Sequence, residues 1–127
     1  MSKSPRFFVC GTCGNLAGLI EDHGPPMSCC GAKMTELVPN TAEASVEKHV
    51  PVAYKTDQGI GVKVGSVLHP MEKEHYIGFV YVRTDQGGQR KNLSVGDLPE
   101  ATFSFSNDKP LEVYAYCNLH GLWKAEI

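Results

Sequence analysis

The chain has 127 residues and a formal net charge of -2, long enough for one real core plus a small appendage, with no charge bias towards nucleic acid or an anionic membrane. Its longest apolar stretches are far too short to span a bilayer, so no membrane partner is expected. The basic start Met1-Ser2-Lys3-Ser4-Pro5-Arg6 is followed only by Phe7-Phe8-Val9 before Cys10, so no signal-peptide core is expected and the cytoplasm is the default location.

In chain order, composition changes near Leu37-Val38-Pro39-Asn40, which predicts domains of 1–38 and 39–127. The first is rich in Gly and Cys and too short to bury a sufficient apolar core, so it needs a staple such as a metal. Asn40 to Ser45 reads as a connector with room for a short helical turn. From Lys48 onward the pattern is strand after strand. Val50–Lys55 and Ile60–Val64 flank a turn at Asp57-Gln58-Gly59, and Tyr76–Arg83 runs into the turn signal Asp85-Gln86-Gly87-Gly88. Ala101–Ser106, Leu111–Cys117 and Leu122–Ile127 complete the set. The fold class is therefore mainly β: a small metal-stapled N-terminal domain followed by an antiparallel β-sandwich, with no long amphipathic helix.

Cys10-Gly11-Thr12-Cys13 is a C-x-x-C knuckle, and after 15 residues comes the adjacent pair Cys29-Cys30. Five cysteines cannot pair completely, and in a reducing compartment clustered thiols favour metal over disulfide. Four thiolates converging on one ion give a tetrahedral S4 site suited to zinc or to iron, and spacing alone does not choose between them. A redox-active dithiol at Cys10 and Cys13 would leave Cys29-Cys30 unexplained. Because neighbouring side chains tend to point apart, a site using both Cys29 and Cys30 should be a distorted tetrahedron.

The other cysteine and four of the five histidines follow H-x19-H-x5-H-x41-C-x2-H: His49, His69, His75, Cys117 and His120. Cys117 shares strand parity with Leu111, Val113 and Ala115, so it should face inward with them. Asn118-Leu119-His120-Gly121 then turns the chain and brings His120 near Cys117. His49 is expected to begin a strand, and His69 and His75 to bracket a loop, so all five donors can gather at one rim of a sandwich. His23, in the loop Glu21–Pro25, reads instead as an ordinary histidine, and Met71 and Trp123 as packing groups.

Four imidazoles and a thiolate exceed the four ligands of a structural zinc site. They can form a square pyramid with four equatorial nitrogens, one axial sulfur and a sixth position open, a shape that suits iron. The thiolate opposite that position pushes electron density towards whatever binds there, as in thiolate-ligated haem. Such a centre invites one-electron reduction of a small oxygen species.

On these motifs the chain resembles the desulfoferrodoxin family, the two-iron class of superoxide reductase. The resemblance is carried by Cys10, Cys13, Cys29 and Cys30, by Glu47-Lys48-His49-Val50-Pro51, by His69-Pro70-Met71-Glu72 through His75, and by Tyr116 through Gly121. It implies two iron ions per chain. One is an Fe(SCys)4 centre in a desulforedoxin-like (rubredoxin-like) domain; the other is an Fe(His)4Cys centre in an immunoglobulin-like sandwich. It further implies superoxide as substrate, hydrogen peroxide as product without dioxygen, a rubredoxin-type electron donor and a homodimer. Two residues gain catalytic roles through the resemblance. Lys48 would draw in superoxide and help deliver protons, and Glu47 would swing in after turnover to help displace peroxide. Without the resemblance the pair reads as solvated surface charge.

Two other classes compete. A cupredoxin-like electron carrier would use a late Cys-x-x-His on a sandwich, but no methionine follows His120 and two histidines would be surplus. A zinc-stapled interaction domain explains the N-terminal cysteines and leaves the His/Cys constellation to chance.

Overall fold

The structure, a computed structural model, describes residues 3–127; Met1 and Ser2, the first residues of the basic start, lie outside the described residues. The chain divides into two compact units, Lys3–Val38 and the stretch from Pro39 to Ile127.

The smaller unit is built from strands of two to four residues: β1 (Arg6–Val9), β2 (Leu16–Leu19), β3 (Ser28–Cys29), β4 (Ala32–Lys33) and β5 (Thr35–Glu36). They form a three-stranded sheet in the order β2-β1-β5 and a separate β3-β4 hairpin. Its buried apolar residues, Phe7, Phe8 and Cys10, are few. Arg6 ties the unit's rim, 2.6 Å from Asp22 and 2.9 Å from Glu36. A core this small fits the need for a staple.

The larger unit opens with a one-turn helix, α1 (Val46–His49), followed by seven strands. These are β6 (Pro51–Lys55), β7 (Gly59–Val64), β8 (Ile77–Thr84), β9 (Gly87–Asn92), β10 (Glu100–Ser104), β11 (Pro110–Cys117) and β12 (Gly121–Glu126). They make two antiparallel sheets, β10-β7-β6 and β12-β11-β8-β9, which is the immunoglobulin-like sandwich expected. The inner faces meet through Ile60, Val62 and Val64, Val80 and Val82, Ala101 and Phe103, and Val113, Ala115 and Cys117. Each of the Val, Ile and Phe side chains stabilises the frame by roughly 1.5–3 kcal/mol on burial. Cys117 thus lies on the inward face with Val113 and Ala115.

Two departures from the sequence reading matter. His49 does not begin a strand. It ends α1, where the Val50 N–H donates to the Val46 carbonyl at 3.0 Å, and β6 starts only at Pro51. Helical backbone directs the His49 ring back along the chain to the Ser45 carbonyl four residues earlier. Second, Gly87–Asn92, left undefined beyond its turn signal, is an edge strand paired to β8 from Thr84↔Gly87 to Phe79↔Asn92.

On the outer face of the four-stranded sheet, Glu112 is 7% exposed and joins three strands. Its carboxylate is 2.7 Å from Arg83 Nε and 3.2 Å from Lys124 Nζ, and accepts the Tyr114 hydroxyl at 2.9 Å. Burial pushes this carboxyl up, but the hydrogen bonds from Arg83, Tyr114 and Lys124 outweigh it and hold it below its ordinary value of 4.5. Because the folded value is the lower one, the stabilisation is present above pH 4.5 and is lost as pH falls through the folded value. Glu112→Gln should therefore lower stability by about 2 kcal/mol at neutral pH. The gap to the parent should close in acid, as read by urea unfolding at a series of pH values.

Candidate metal centres

In the smaller unit the knuckle follows β1 directly. The Gly14 N–H donates to the Cys10 carbonyl at 3.0 Å and the Cys10 N–H to Asn15 O at 2.8 Å, which folds the C-x-x-C back on itself. The adjacent pair converges because the backbone turns left-handed at Cys30 (φ 54°) and Gly31 (φ 74°). All four Sγ atoms lie within 4.8 Å of one another, with Cys13–Cys29 at 3.6 Å and Cys29–Cys30 at 3.8 Å. None of these cysteines is in a disulfide. A tetrahedron with metal–sulfur bonds of about 2.3 Å has edges of about 3.8 Å, so the cluster is metal-sized. Backbone N–H groups of Cys13 and Thr12 point at Cys10 Sγ, each at 3.4 Å, and pull its thiol down to about 6. The hydrogen bond from Cys13 leads the causes that push Cys30 up to about 12. Thiols so close compete for protons, and a cation resolves the competition by taking all four as thiolates.

At the rim of the sandwich the structure brings His49, His69, His75, Cys117 and His120 together. One donor atom from each of His49, His69, His75 and Cys117 lies within 4.8 Å of the others. His120 Nδ1 joins them, 3.1 Å from His49 Nε2 and 3.8 Å from Cys117 Sγ. The rings run around a closed circuit, His49–His69–His75–His120, with successive centroids 4.7, 4.5, 5.1 and 4.9 Å apart and near-perpendicular planes. His49 and His75, across the circuit, are 6.1 Å apart. That is a square of imidazoles, and adjacent corners about 2.1 Å from a shared ion would be about 3.0 Å apart.

Which nitrogen faces inward is set by local backbone. His49 Nδ1–H donates to Ser45 O at 2.6 Å and His69 Nδ1–H to Pro70 O at 2.7 Å, leaving both Nε2 lone pairs aimed at the centre. Nε2 of His69 and of His75 are buried with no hydrogen-bond partner. Buried orphan acceptors are costly unless something accepts their lone pairs, and here they converge with a thiol. Burial holds His69 down to about 4 and keeps His49 and His75 below the usual histidine range, the state in which imidazole binds metal. The charge of Lys48 adds to the depression at His49 and His75. Burial raises the Cys117 thiol, opposed by the backbone N–H groups of Leu119 and His120.

Several neighbours hold the donor residues in place. The Trp123 indole donates to His120 O at 3.1 Å, and its ring lies 5.0 Å from that of His49. Trp123 is thus more than the packing group the sequence suggested. Met71 Sδ accepts the Ile77 N–H at 3.3 Å. Opposite Cys117, the register jumps from Tyr116↔Phe79 to Cys117↔Ile77 and leaves Gly78 as an extra residue, a bulge beside the site. Glu47 and Lys48 sit on α1 with exposed side chains. The Glu47 carbonyl is clamped by the Val67 N–H at 2.9 Å and Ser66 Oγ at 3.3 Å. This clamp requires glycine at 65, since a Cβ there would stand 2.6 Å from Glu47 O and 2.8 Å from Val50 O. His23 is exposed, its Nε2 3.5 Å from Glu21.

A four-cysteine knuckle unit and an immunoglobulin-like sandwich with a four-histidine, one-cysteine rim define a protein with two transition-metal centres of different softness. The family model described as Desulfoferrodoxin matches residues 41–126. A relative from Syntrophotalea carbinolica named desulfoferrodoxin is 44% identical over 126 residues, covering 99% of each chain. The crystal structure of the superoxide reductase from Treponema pallidum has a TM-score of 0.82 at 37% identity, over 97% of this chain and 99% of that one. A protein from Pyrococcus horikoshii named superoxide reductase is 33% identical over 99 residues, 64% of this chain and 86% of its own length. The chain belongs to the desulfoferrodoxin family. Its two donor sets fit the two iron ions expected, Fe(SCys)4 and Fe(His)4Cys. Among the described residues no helix is long and apolar enough to cross a membrane.

Proposed function

We propose that the chain is a superoxide reductase acting as a cytoplasmic homodimer. Residues 1–38 would carry the Fe(SCys)4 centre and residues 39–127 the Fe(His)4Cys centre, with electrons from a rubredoxin-type donor. The observation that carries this reading is the square of four imidazoles closed by one buried thiol, with the Lys48 charge reaching two of its members. A ferrous ion bound there supplies one electron, so that superoxide, one electron and two protons give hydrogen peroxide and no dioxygen.

The chain's own residues do the rest. Imidazole ligands bring no negative charge, so a site of four of them and one thiolate is not saturated with negative charge and tolerates an incoming anion. The exposed Lys48 ammonium raises the local concentration of that anion and is the group assigned to proton delivery at the product oxygen. The Glu47 carboxylate is held below its usual range by its own backbone N–H, with the Lys48 charge adding. It is therefore ionised at neutral pH and is the group assigned to displacing peroxide anion.

Metal analysis with optical spectra tests the reading. Two irons per chain, a reducible tetrathiolate chromophore, a separate thiolate-to-iron band that appears on oxidation, and peroxide without dioxygen are expected. One copper per chain, zinc alone, or dioxygen as a product would overturn it.

A further inference from the structure

We propose that the side-chain amide of Asn118 is the positioning group that sets His75 against the other four donors; the assignment rests on His75 being a metal ligand, as the functional reading has it. The backbone hydrogen bonds of His75 itself stay within one turn. His75 closes an exposed turn, Glu72-Lys73-Glu74-His75, held by the Glu72 N–H on His75 O at 2.9 Å and the His75 N–H on Glu72 O at 3.1 Å. Both hydrogen bonds are internal to the turn, so they shape it without fixing where it stands relative to β11.

Asn118 supplies that missing reference. Its Nδ2–H donates to Glu74 O at 3.0 Å, its Oδ1 accepts the Tyr76 N–H at 2.9 Å, and its own backbone N–H donates to Tyr76 O at 3.2 Å. One planar amide therefore grips the peptide groups on either side of His75, in the way a neighbouring strand would. Asn118 follows Cys117 and lies two residues before His120, so the grip refers His75 directly to the segment that carries two other donors. Only a side chain with a donor and an acceptor on one carbon does this. Aspartate has the same shape but would set a carboxylate oxygen against the Glu74 carbonyl.

The test uses the metal-free full-length chain titrated with Co(II), whose thiolate charge-transfer band reports the His/Cys centre while the tetrathiolate spectrum of the first centre serves as internal reference. Asn118→Asp and Asn118→Ala should weaken Co(II) binding at the His/Cys centre roughly 10- to 100-fold, the usual loss when a group orienting a ligand is removed. They should also shift the thiolate band, with the tetrathiolate spectrum and the near-ultraviolet dichroism of Trp123 unchanged. If Asn118→Ala does not fold, Asn118→Ser carries the same expectation. Affinity within about threefold of the parent, under 1 kcal/mol, would overturn the proposal, as would weaker binding with the parent's band intact. Failure of the parent itself to bind Co(II) at the five donors would instead overturn the functional reading and leave Asn118 aside.

Discussion

Exchange of Cys117 for serine is expected to erase the thiolate-to-iron band and to lower the rate of superoxide consumption by more than about a hundredfold. The magnitude follows from comparison: removing groups that merely orient a ligand already costs 10- to 100-fold, so losing the sulfur donor itself must exceed that. The change is otherwise small. Cys117 is fully buried at the end of β11, packed in the core cluster, and serine is a slightly smaller side chain of the same shape. The Leu119 and His120 amides that oppose the burial cost of a thiolate remain in place, but a serine hydroxyl at this depth stays protonated and gives no soft donor. The tetrathiolate spectrum of the other unit should be untouched. Iron content, the oxidised spectrum and peroxide yield check the outcome together. A variant retaining full rate with one iron bound at the rim would show that sulfur is dispensable to the chemistry.

How far the site could be read without coordinates depended on whether each residue's role is local. Cys117 and His120 are legible because strand parity faces one inward and a three-residue turn returns the other. The four N-terminal cysteines are legible because thiols so clustered have few uses in a reducing compartment. His49 is misread as a strand start because one helical turn leaves little periodicity, and Pro51 only marks where β6 begins. Strand β9 escapes because Gly-Gly-Gln-Arg-Lys-Asn lacks alternating apolar residues. It is an edge, covered with charge and reaching across through Gln89 Nε2 to Ser104 O at 2.9 Å. The strands β1 to β5 escape because two to four residues are too few to show a period. The inward nitrogens and the grip of Asn118 depend on where particular carbonyls stand, which no residue pattern states. Gly65 is similar: its need for no side chain arises from contact with Glu47 and Val50, distant in sequence.

Lys48→Ile should slow the second-order reaction with superoxide roughly tenfold at low ionic strength while leaving both iron spectra nearly intact, the loss expected when a steering charge is removed. The spectra should survive because the backbone beneath Lys48 is fixed by other groups. Val67 and Ser66 hold the neighbouring Glu47 carbonyl, Gly65 permits the close approach, and Ser45 O fixes the His49 ring. The side chain itself is exposed, so isoleucine removes a cation without opening a cavity. Its charge nevertheless reaches His49 and His75, which places its field at the donor square and not only in bulk solvent. Salt separates steering from proton delivery. If attraction dominates, the parent rate falls steeply with ionic strength, the variant rate is nearly flat, and the two converge as the screening length drops towards about 3 Å near 1 M salt. If proton delivery dominates, the two rates fall in parallel with added salt and the variant's deficit grows with pH. Lys48→Arg keeps the charge and should keep most of the rate in the first case, but little in the second, since guanidinium is a much poorer acid. Pulse radiolysis over a range of ionic strength and pH distinguishes these outcomes. An unchanged rate with an unchanged salt slope would remove Lys48 from the mechanism and leave it a solvated surface lysine.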